Sequence, residues 1–173
     1  MNDLIQQLIK QNYLKTPRII QAFQKINRQD FLLSNQQGNA EKNYPLPIGF
    51  GQTISQPATV AFMIELLQPQ IGDNVLDIGS GSGWATSLLA EIVGSAGKVW
   101  AIELISELKE FGETNTEKYN FITNKRATFV CKNGVDGLEK NAPFNCIHIA
   151  AATVKIPQAL LEQLAIGGRL VVP

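Results

Sequence analysis

The sequence predicts an α/β fold, a doubly wound and mainly parallel sheet, on three observations. An apolar strand, Asn74-Val75-Leu76-Asp77-Ile78, runs through an acid into the alternating glycines Gly79, Gly81 and Gly83 and then into a helical stretch from Ser82 to Leu89. A second apolar run, Lys98 to Glu103, ends in an acid 20 positions after Gly83. From Gly72 onward, apolar strands alternate with helical stretches. That is the pattern of parallel strands covered on both faces, whose ligands sit beyond the strands' carboxyl ends.

In chain order, Leu4, Ile5, Leu8 and Ile9 recur at helical spacing, and Thr16-Pro17 offers an N-cap with proline at the first helical position before Ile19, Ile20, Phe23 and Ile26. Two short amphipathic helices are expected. From Ser34 to Ser55 the chain is polar and rich in Gly and Pro, long for a connector in a compact domain, and loops of that length tend to be functional or disordered. Gln56-Pro57 then opens a helix carrying Val60, Ile64 and Leu67. Strands are expected near Asn74 to Ile78, Lys98 to Glu103, Ala127 to Cys131, Asn145 to Ala150 and Arg169 to Val172. The 173 residues read as one domain: 1–56 form N-terminal helices and a loop, and 57–173 the sheet core.

Composition narrows the function classes. With 45% hydrophobic and 17% charged residues the chain buries a substantial core, so disorder is excluded. Lys plus Arg and Asp plus Glu are 15 each, leaving no field to concentrate nucleic acid. Neither a basic leader nor an 18-residue apolar run occurs, so a cytoplasmic protein with no membrane partner is expected. Cys131 and Cys146 lie in apolar strand settings without a Cys-x-x-Cys partner, which predicts buried, reduced thiols and no metal site. His148, the single histidine, sits mid-strand with no carboxylate near it in sequence and reads as a structural residue rather than a general base.

The glycine turn carries the chemistry. Without Cβ atoms the backbone turns sharply and approaches a ligand closely, and the following helix presents unpaired amides. A dinucleotide fingerprint needs a third glycine at the position held here by Trp84, which weakens a nicotinamide reading. Glu103 is placed to accept hydrogen bonds from ribose hydroxyls. Gly-x-Gly-x-Gly preceded by Asp77 and followed by Glu103 resembles motif I and the second-strand acid of the S-adenosylmethionine-dependent methyltransferases with a Rossmann-like fold.

A finer resemblance lies upstream. Pro45-Leu46-Pro47-Ile48-Gly49-Phe50-Gly51-Gln52-Thr53-Ile54-Ser55-Gln56-Pro57 resembles the substrate loop of protein-L-isoaspartate O-methyltransferases. Ile147-His148 through Pro157, Gln163-Leu164 and Gly167 to Pro173 resemble that family's later strands. The resemblance implies a repair methyltransferase that moves a methyl group from S-adenosyl-L-methionine to the α-carboxylate of L-isoaspartyl residues in damaged peptides and proteins, with no metal. It implies Ser55 as the catalytic serine and Thr53, Ile54 and Ser55 as substrate contacts. Thr53, Asp77, Gly79, Gly81, Ser82, Glu103, Leu104, Asn133 and Gly134 are implied as cofactor contacts. Read from the residues alone, Ser55 is better explained as a cap of the following helix, and it is the family-like Gln-Thr-Ile string beside it that favours the catalytic role. Lys42, Lys155 and Arg169 are available as carboxylate clamps or as solvated surface charges.

Three departures from the family pattern qualify this reading. Asn133-Gly134 stands where the family commonly has Asp-Gly, which predicts a weakened cofactor site, and Asn43 and Asn145 stand where family members often carry aspartate. The sequence ends at the expected fifth strand, whose uncovered edge predicts self-association or reduced turnover. A catalytically impaired S-adenosylmethionine binder, a different small-molecule methyltransferase and a nicotinamide oxidoreductase are the alternatives.

Overall fold

A computed structural model describes residues 3–152 and 155–173 of the chain; Thr153 and Val154, inside the family-like run from Ile147 to Pro157, lie outside the described residues. Two helices, α1 (Asp3–Lys10) and α2 (Pro17–Lys25), and two 3-10 turns (Arg28–Phe31 and Ser34–Asn39) lead into a hairpin of β1 (Leu46–Gly49) and β2 (Gln52–Ile54). Helix α3 (Pro57–Leu67) follows, and then the core runs β3 (Asn74–Ile78), α4 (Trp84–Val93), β4 (Lys98–Glu103), α5 (Ser106–Glu117), β5 (Ala127–Cys131), β6 (Phe144–Ile149), α6 (Gln158–Glu162) and β7 (Leu164–Val171). The five core strands form a parallel sheet in the order β5-β4-β3-β6-β7. Its direction of growth reverses at β3, so the crevice between the carboxyl ends of β3 and β6 is where such a sheet takes a ligand.

The strands are buried on both faces, as their nearly continuous apolar runs require. Val75, Val99, Ala101, Ala127, Phe129 and Cys146 pack with α1 to α5, whereas Leu76, Ile78, Ile102, Ile147 and Ile149 pack with Leu160 of α6 on the opposite face. This two-sided packing follows from the two-residue period of a strand.

The N-terminal segments are tied to that core by specific contacts. Phe23 meets the edge of Trp84 with ring centroids 5.7 Å apart, a geometry worth about 1 kcal/mol beyond its buried area. Tyr119 donates its hydroxyl hydrogen to Asp30 Oδ2 at 2.6 Å, accepts the Asn27 N–H at 2.8 Å, and stacks on both Phe31 and Phe121. Burial and the Asp30 bond together push the Tyr119 phenol well above its ordinary range.

Besides the bounds of β6 and β7, expected at Asn145–Ala150 and Arg169–Val172, four expectations change. Thr16 does precede α2, but its side chain makes no cap: the hydroxyl donates to Glu65 Oε2, and Glu65 Oε1 accepts the amides of Lys15 and Thr16. A carboxylate from α3 supplies the acceptors, and charge-assisted bonds win over a neutral hydroxyl cap. The stretch from Ser34 to Ser55 is a 3-10 turn and a hairpin rather than an open loop, because Leu46, Ile48 and Ile54 alternate inward and are buried. The glycine-loop helix begins at Trp84 and not at Ser82, since Gly83 at φ 84° precedes it in the left-handed region. Of the two thiols expected to be buried, Cys146 is buried and Cys131, at the last position of β5, is exposed.

No helix among the described residues is long and apolar enough to cross a membrane. Desolvation, with the Asp73 carboxylate nearby, pushes the Cys146 thiol up from 9.0 to about 12. Its contribution to stability is therefore complete below pH 9 and is lost as pH rises toward 12, where the unfolded chain releases a proton that the folded chain retains. At pH 8, iodoacetamide is expected to modify Cys131 and to spare Cys146 until the chain is denatured. Peptide mass mapping that finds both modified at similar rates in the native protein would refute this.

Candidate functional site

A cavity of about 440 Å³ opens at the carboxyl ends of β3, β4 and β6, lined there by Ile78, Glu103 and Ile149, while the β1–β2 hairpin forms the facing wall. Of the residues singled out from sequence, Thr53, Ile54, Ser55, Gly79, Gly81, Ser82, Glu103, Leu104, Asn133 and Gly134 all line it. Asp77 does not. The walls also include Ile48, Met63, Ile105, His148, Ala151 and Pro157, which no spacing in the sequence marks.

The glycine turn is shaped by close backbone approach. A Cβ on Gly83 would lie 2.5 Å from the Gly112 carbonyl oxygen and 2.6 Å from Thr116 Oγ1, and one on Gly112 would lie 2.6 Å from the Gly81 carbonyl oxygen. The loop is thus pressed onto α5. Trp84, where a dinucleotide motif has its third glycine, turns its ring toward Phe23 and Arg28 instead of blocking that approach.

Glu103 holds the turn from the next strand. Its Oε2 accepts the Gly81 N–H at 2.8 Å, and its Oε1 accepts the amides of Leu104 at 2.8 Å and Ile105 at 3.1 Å. A carboxylate has about four lone-pair sites, so acceptor capacity remains toward the cavity.

Asp77 acts from behind the wall. It is fully buried, accepts the Thr86 hydroxyl at 2.5 Å on Oδ2, and pairs through Oδ1 with His148 Nδ1 at 2.8 Å. It therefore links β3 to the glycine-loop helix and to β6. His148 does have a carboxylate partner, brought to it by the parallel register that sets Asp77 opposite His148, 71 positions away in sequence. His148 Nε2, Ser80 Oγ and Trp84 Nε1 are buried without a hydrogen-bond partner among the described residues, and all three residues line the cavity. Buried polar groups left open in this way mark where a polar ligand or ordered water completes a structure.

On the facing wall, the Ser55 hydroxyl makes no hydrogen bond among the described residues and does not cap α3. The cap comes from Asn43, whose Oδ1 accepts the Ala58 N–H at 3.0 Å. Thr53 is exposed in β2 and Ser55 directly follows the end of that strand; both line the cavity, whereas Ile54 between them is buried. Asn133 heads the 3-10 turn Gly134–Asp136, and its side-chain carbonyl already accepts the Val135 N–H at 3.1 Å. Gly134 fits tightly beneath it, because a Cβ there would come 2.3 Å from Ile78 Cγ2. Lys42 and Lys155 are exposed, Arg169 donates to the Leu66 carbonyl, and none of the three lines the cavity. No cluster able to hold a metal ion occurs among the described residues.

Comparison with known proteins points the same way as this geometry. A sequence model of the family described as Protein-L-isoaspartate(D-aspartate) O-methyltransferase (PCMT) matches residues 1–173. The protein-L-isoaspartate O-methyltransferase of Aeropyrum pernix is 42% identical over 170 residues, covering 98% of this chain and 65% of its own length. That of Ignicoccus hospitalis is 38% identical over 171 residues, covering 99% of this chain and 80% of its own length. A crystal structure of a Plasmodium falciparum chain described as belonging to the same group, in complex with S-adenosyl-L-homocysteine, superposes with a TM-score of 0.89 at 22% identity, covering 99% of this chain and 83% of its own; at that identity it shows the shared fold. The chain spans just under two thirds of the Aeropyrum relative and more of the Ignicoccus one.

Gly83→Ala is expected to cost about 2 kcal/mol through its φ of 84° and its contact with Gly112. That corresponds to a Tm lower by about 4–8 °C for a chain of this size. An unchanged Tm in differential scanning calorimetry would show that the loop is not pressed against α5.

Proposed function

The chain belongs to the protein-L-isoaspartate(D-aspartate) O-methyltransferase family, and on that premise we propose that it transfers a methyl group from S-adenosyl-L-methionine to the α-carboxylate of L-isoaspartyl residues in damaged proteins. The observation that supports this reading is that Ser55, whose hydroxyl makes no hydrogen bond among the described residues, lines the same cavity as the glycine turn. The donor set suits the group. Glu103 would accept the ribose hydroxyls, the turn from Gly79 to Ser82 would back the methionine portion, and Leu104 with the Asn133–Gly134 turn would flank the adenine. Ser80, Trp84 and His148 offer polar atoms that a nucleoside or its waters would satisfy.

When bound, the donor supplies an electrophilic sulfonium methyl. An isoaspartyl carboxylate is already ionised near pH 7, so the protein needs no strong base. Ser55 would donate its hydroxyl hydrogen to one carboxylate oxygen and leave the other aimed at the methyl carbon. Thr53 and the hairpin backbone would hold the peptide, and the apolar residues Ile48, Ile54 and Met63 would keep water out. Holding the reacting atoms about 3 to 3.5 Å apart supplies about 7 to 11 kcal/mol. The backbone nitrogen of the residue that follows would then attack the ester carbonyl and expel methanol, and water would open the resulting succinimide to give normal aspartate among the products. The two thiols, both unpaired in the structure, suit a reducing cytoplasm.

A second reading, an impaired member that binds the donor without turnover, is favoured by one observation: the Asn133 carbonyl is already engaged by Val135. Radiolabel transfer separates the two. The active enzyme labels an isoaspartyl peptide and not the matching aspartyl peptide, and Ser55→Ala lowers kcat by roughly 100-fold while leaving S-adenosyl-L-homocysteine affinity unchanged. Binding without transfer in the wild type would favour the impaired reading, and label on both peptides would refute the substrate assignment.

Among the described residues, β7 pairs with β6 on one side and with no strand on the other. We propose that this edge of the 173-residue chain pairs with a second copy. Size exclusion with light scattering should give a dimer, and a monomer at micromolar concentration would dismiss the idea.

A further inference from the structure

We propose that Arg28 is a positioning residue for the acceptor side of the site: its guanidinium fixes the base of the β1–β2 hairpin, and Ser55 with it, against the start of the glycine-loop helix. The inference rests on the methyl-transfer reading of the cavity. Arg28 is only 4% exposed, yet it forms no salt bridge among the described residues. Its Nη1 donates to the carbonyls of Ala40 at 3.1 Å and Lys42 at 3.0 Å, and its Nη2 donates to those of Tyr44 at 2.9 Å and Ser55 at 3.2 Å. The guanidinium carbon lies 5.4 Å from the centre of the Trp84 ring, within cation–π range. A buried cation ordinarily takes a carboxylate partner; here four carbonyl dipoles and an indole face replace it.

The identity of the four carbonyls gives the arrangement its meaning. Strand β1 begins at Leu46 and β2 ends at Ile54, so Tyr44 and Ser55 are the two feet of the hairpin. One nitrogen gathers both. A two-stranded hairpin of this length is marginal by itself and needs an anchor to hold a reacting group within a fraction of an ångström. Trp84 follows Gly83 directly and opens α4, so the same cation lies between the acceptor wall and the donor turn. Burial lowers the Arg28 pKa to about 10, which leaves it charged at neutral pH. Lysine cannot replace it: a single ammonium reaches fewer acceptors and does not lie flat on a ring.

Arg28→Lys and Arg28→Ala, made in the full chain, test this with three readouts: hydrogen–deuterium exchange, S-adenosyl-L-homocysteine affinity by calorimetry, and initial rates on an isoaspartyl peptide. We expect faster exchange confined to residues 40–55, affinity within about twofold of wild type, and kcat/KM for the peptide lower by roughly 100-fold. Guanidinium at sub-denaturing concentration should restore part of the rate of Arg28→Ala and none of the rate of Arg28→Lys. Wild-type exchange in residues 40–55, an equal loss of homocysteine-adduct affinity, or unfolding of both variants would overturn the proposal. If wild-type protein transfers no methyl group, the catalytic reading fails, while the exchange data still decide whether Arg28 holds the hairpin.

Discussion

The bond between the Gly81 amide and the Glu103 carboxylate organises this molecule. It joins the end of β4 to the turn after β3, and it does so where the turn is packed so closely on α5 that neither Gly83 nor Gly112 has room for a side chain. A charge-assisted bond to a part-buried backbone amide contributes about 1.5 kcal/mol. It also stops the carboxylate from swinging, so the face of Glu103 left toward the cavity is held in place. From behind, Asp77 adds a second brace through Thr86 and His148. The cavity wall built from the glycine turn and Glu103 is therefore pre-organised by bonds within the protein.

The hairpin wall is held differently. The hairpin is not part of the main sheet, and its position comes from what its feet and flanks are tied to: Asn43 caps α3, Gln56 donates to the Asn43 carbonyl, and Arg28 collects the carbonyls of Tyr44 and Ser55. These interactions relieve Ser55 of the capping role its position suggests and leave its hydroxyl available. On the methyl-transfer reading proposed above, two separately anchored walls suit an in-line displacement, whose demand is alignment rather than acid–base power.

Much of this was legible in the chain before any coordinates. The strands β3, β4 and β5 fall where the pattern places them, because a largely apolar run of five or six residues between turn signals has few other ways to be buried. Strand β6 shifts by one residue at each end, to Phe144–Ile149, and the edge strand β7 starts five residues early, at Leu164, and ends at Val171, its pairing with β6 being irregular near Phe144 where an edge strand is less constrained by hydrophobic pattern. Thr16 was expected to cap α2 by residue type. Glu65 supplies the acceptors instead, and it stands 49 positions away, beyond the reach of a local rule. Cys131 fits an apolar strand in sequence, yet at the carboxyl end of an edge strand it meets solvent.

By itself the sequence determined the sheet class, the glycine turn, the acid that follows it and the loop whose residues carry the family resemblance, because each is written in neighbouring residues or in a fixed spacing. Only the tertiary structure decided that His148 faces Asp77, that Trp84 leans on Arg28 rather than obstructing the turn, and that the Ser55 hydroxyl makes no bond among the described residues. Those outcomes depend on strand register and on contacts between segments tens of residues apart. Local propensity carries no information about which distant carboxylate or carbonyl will claim a polar group, and packing settles it.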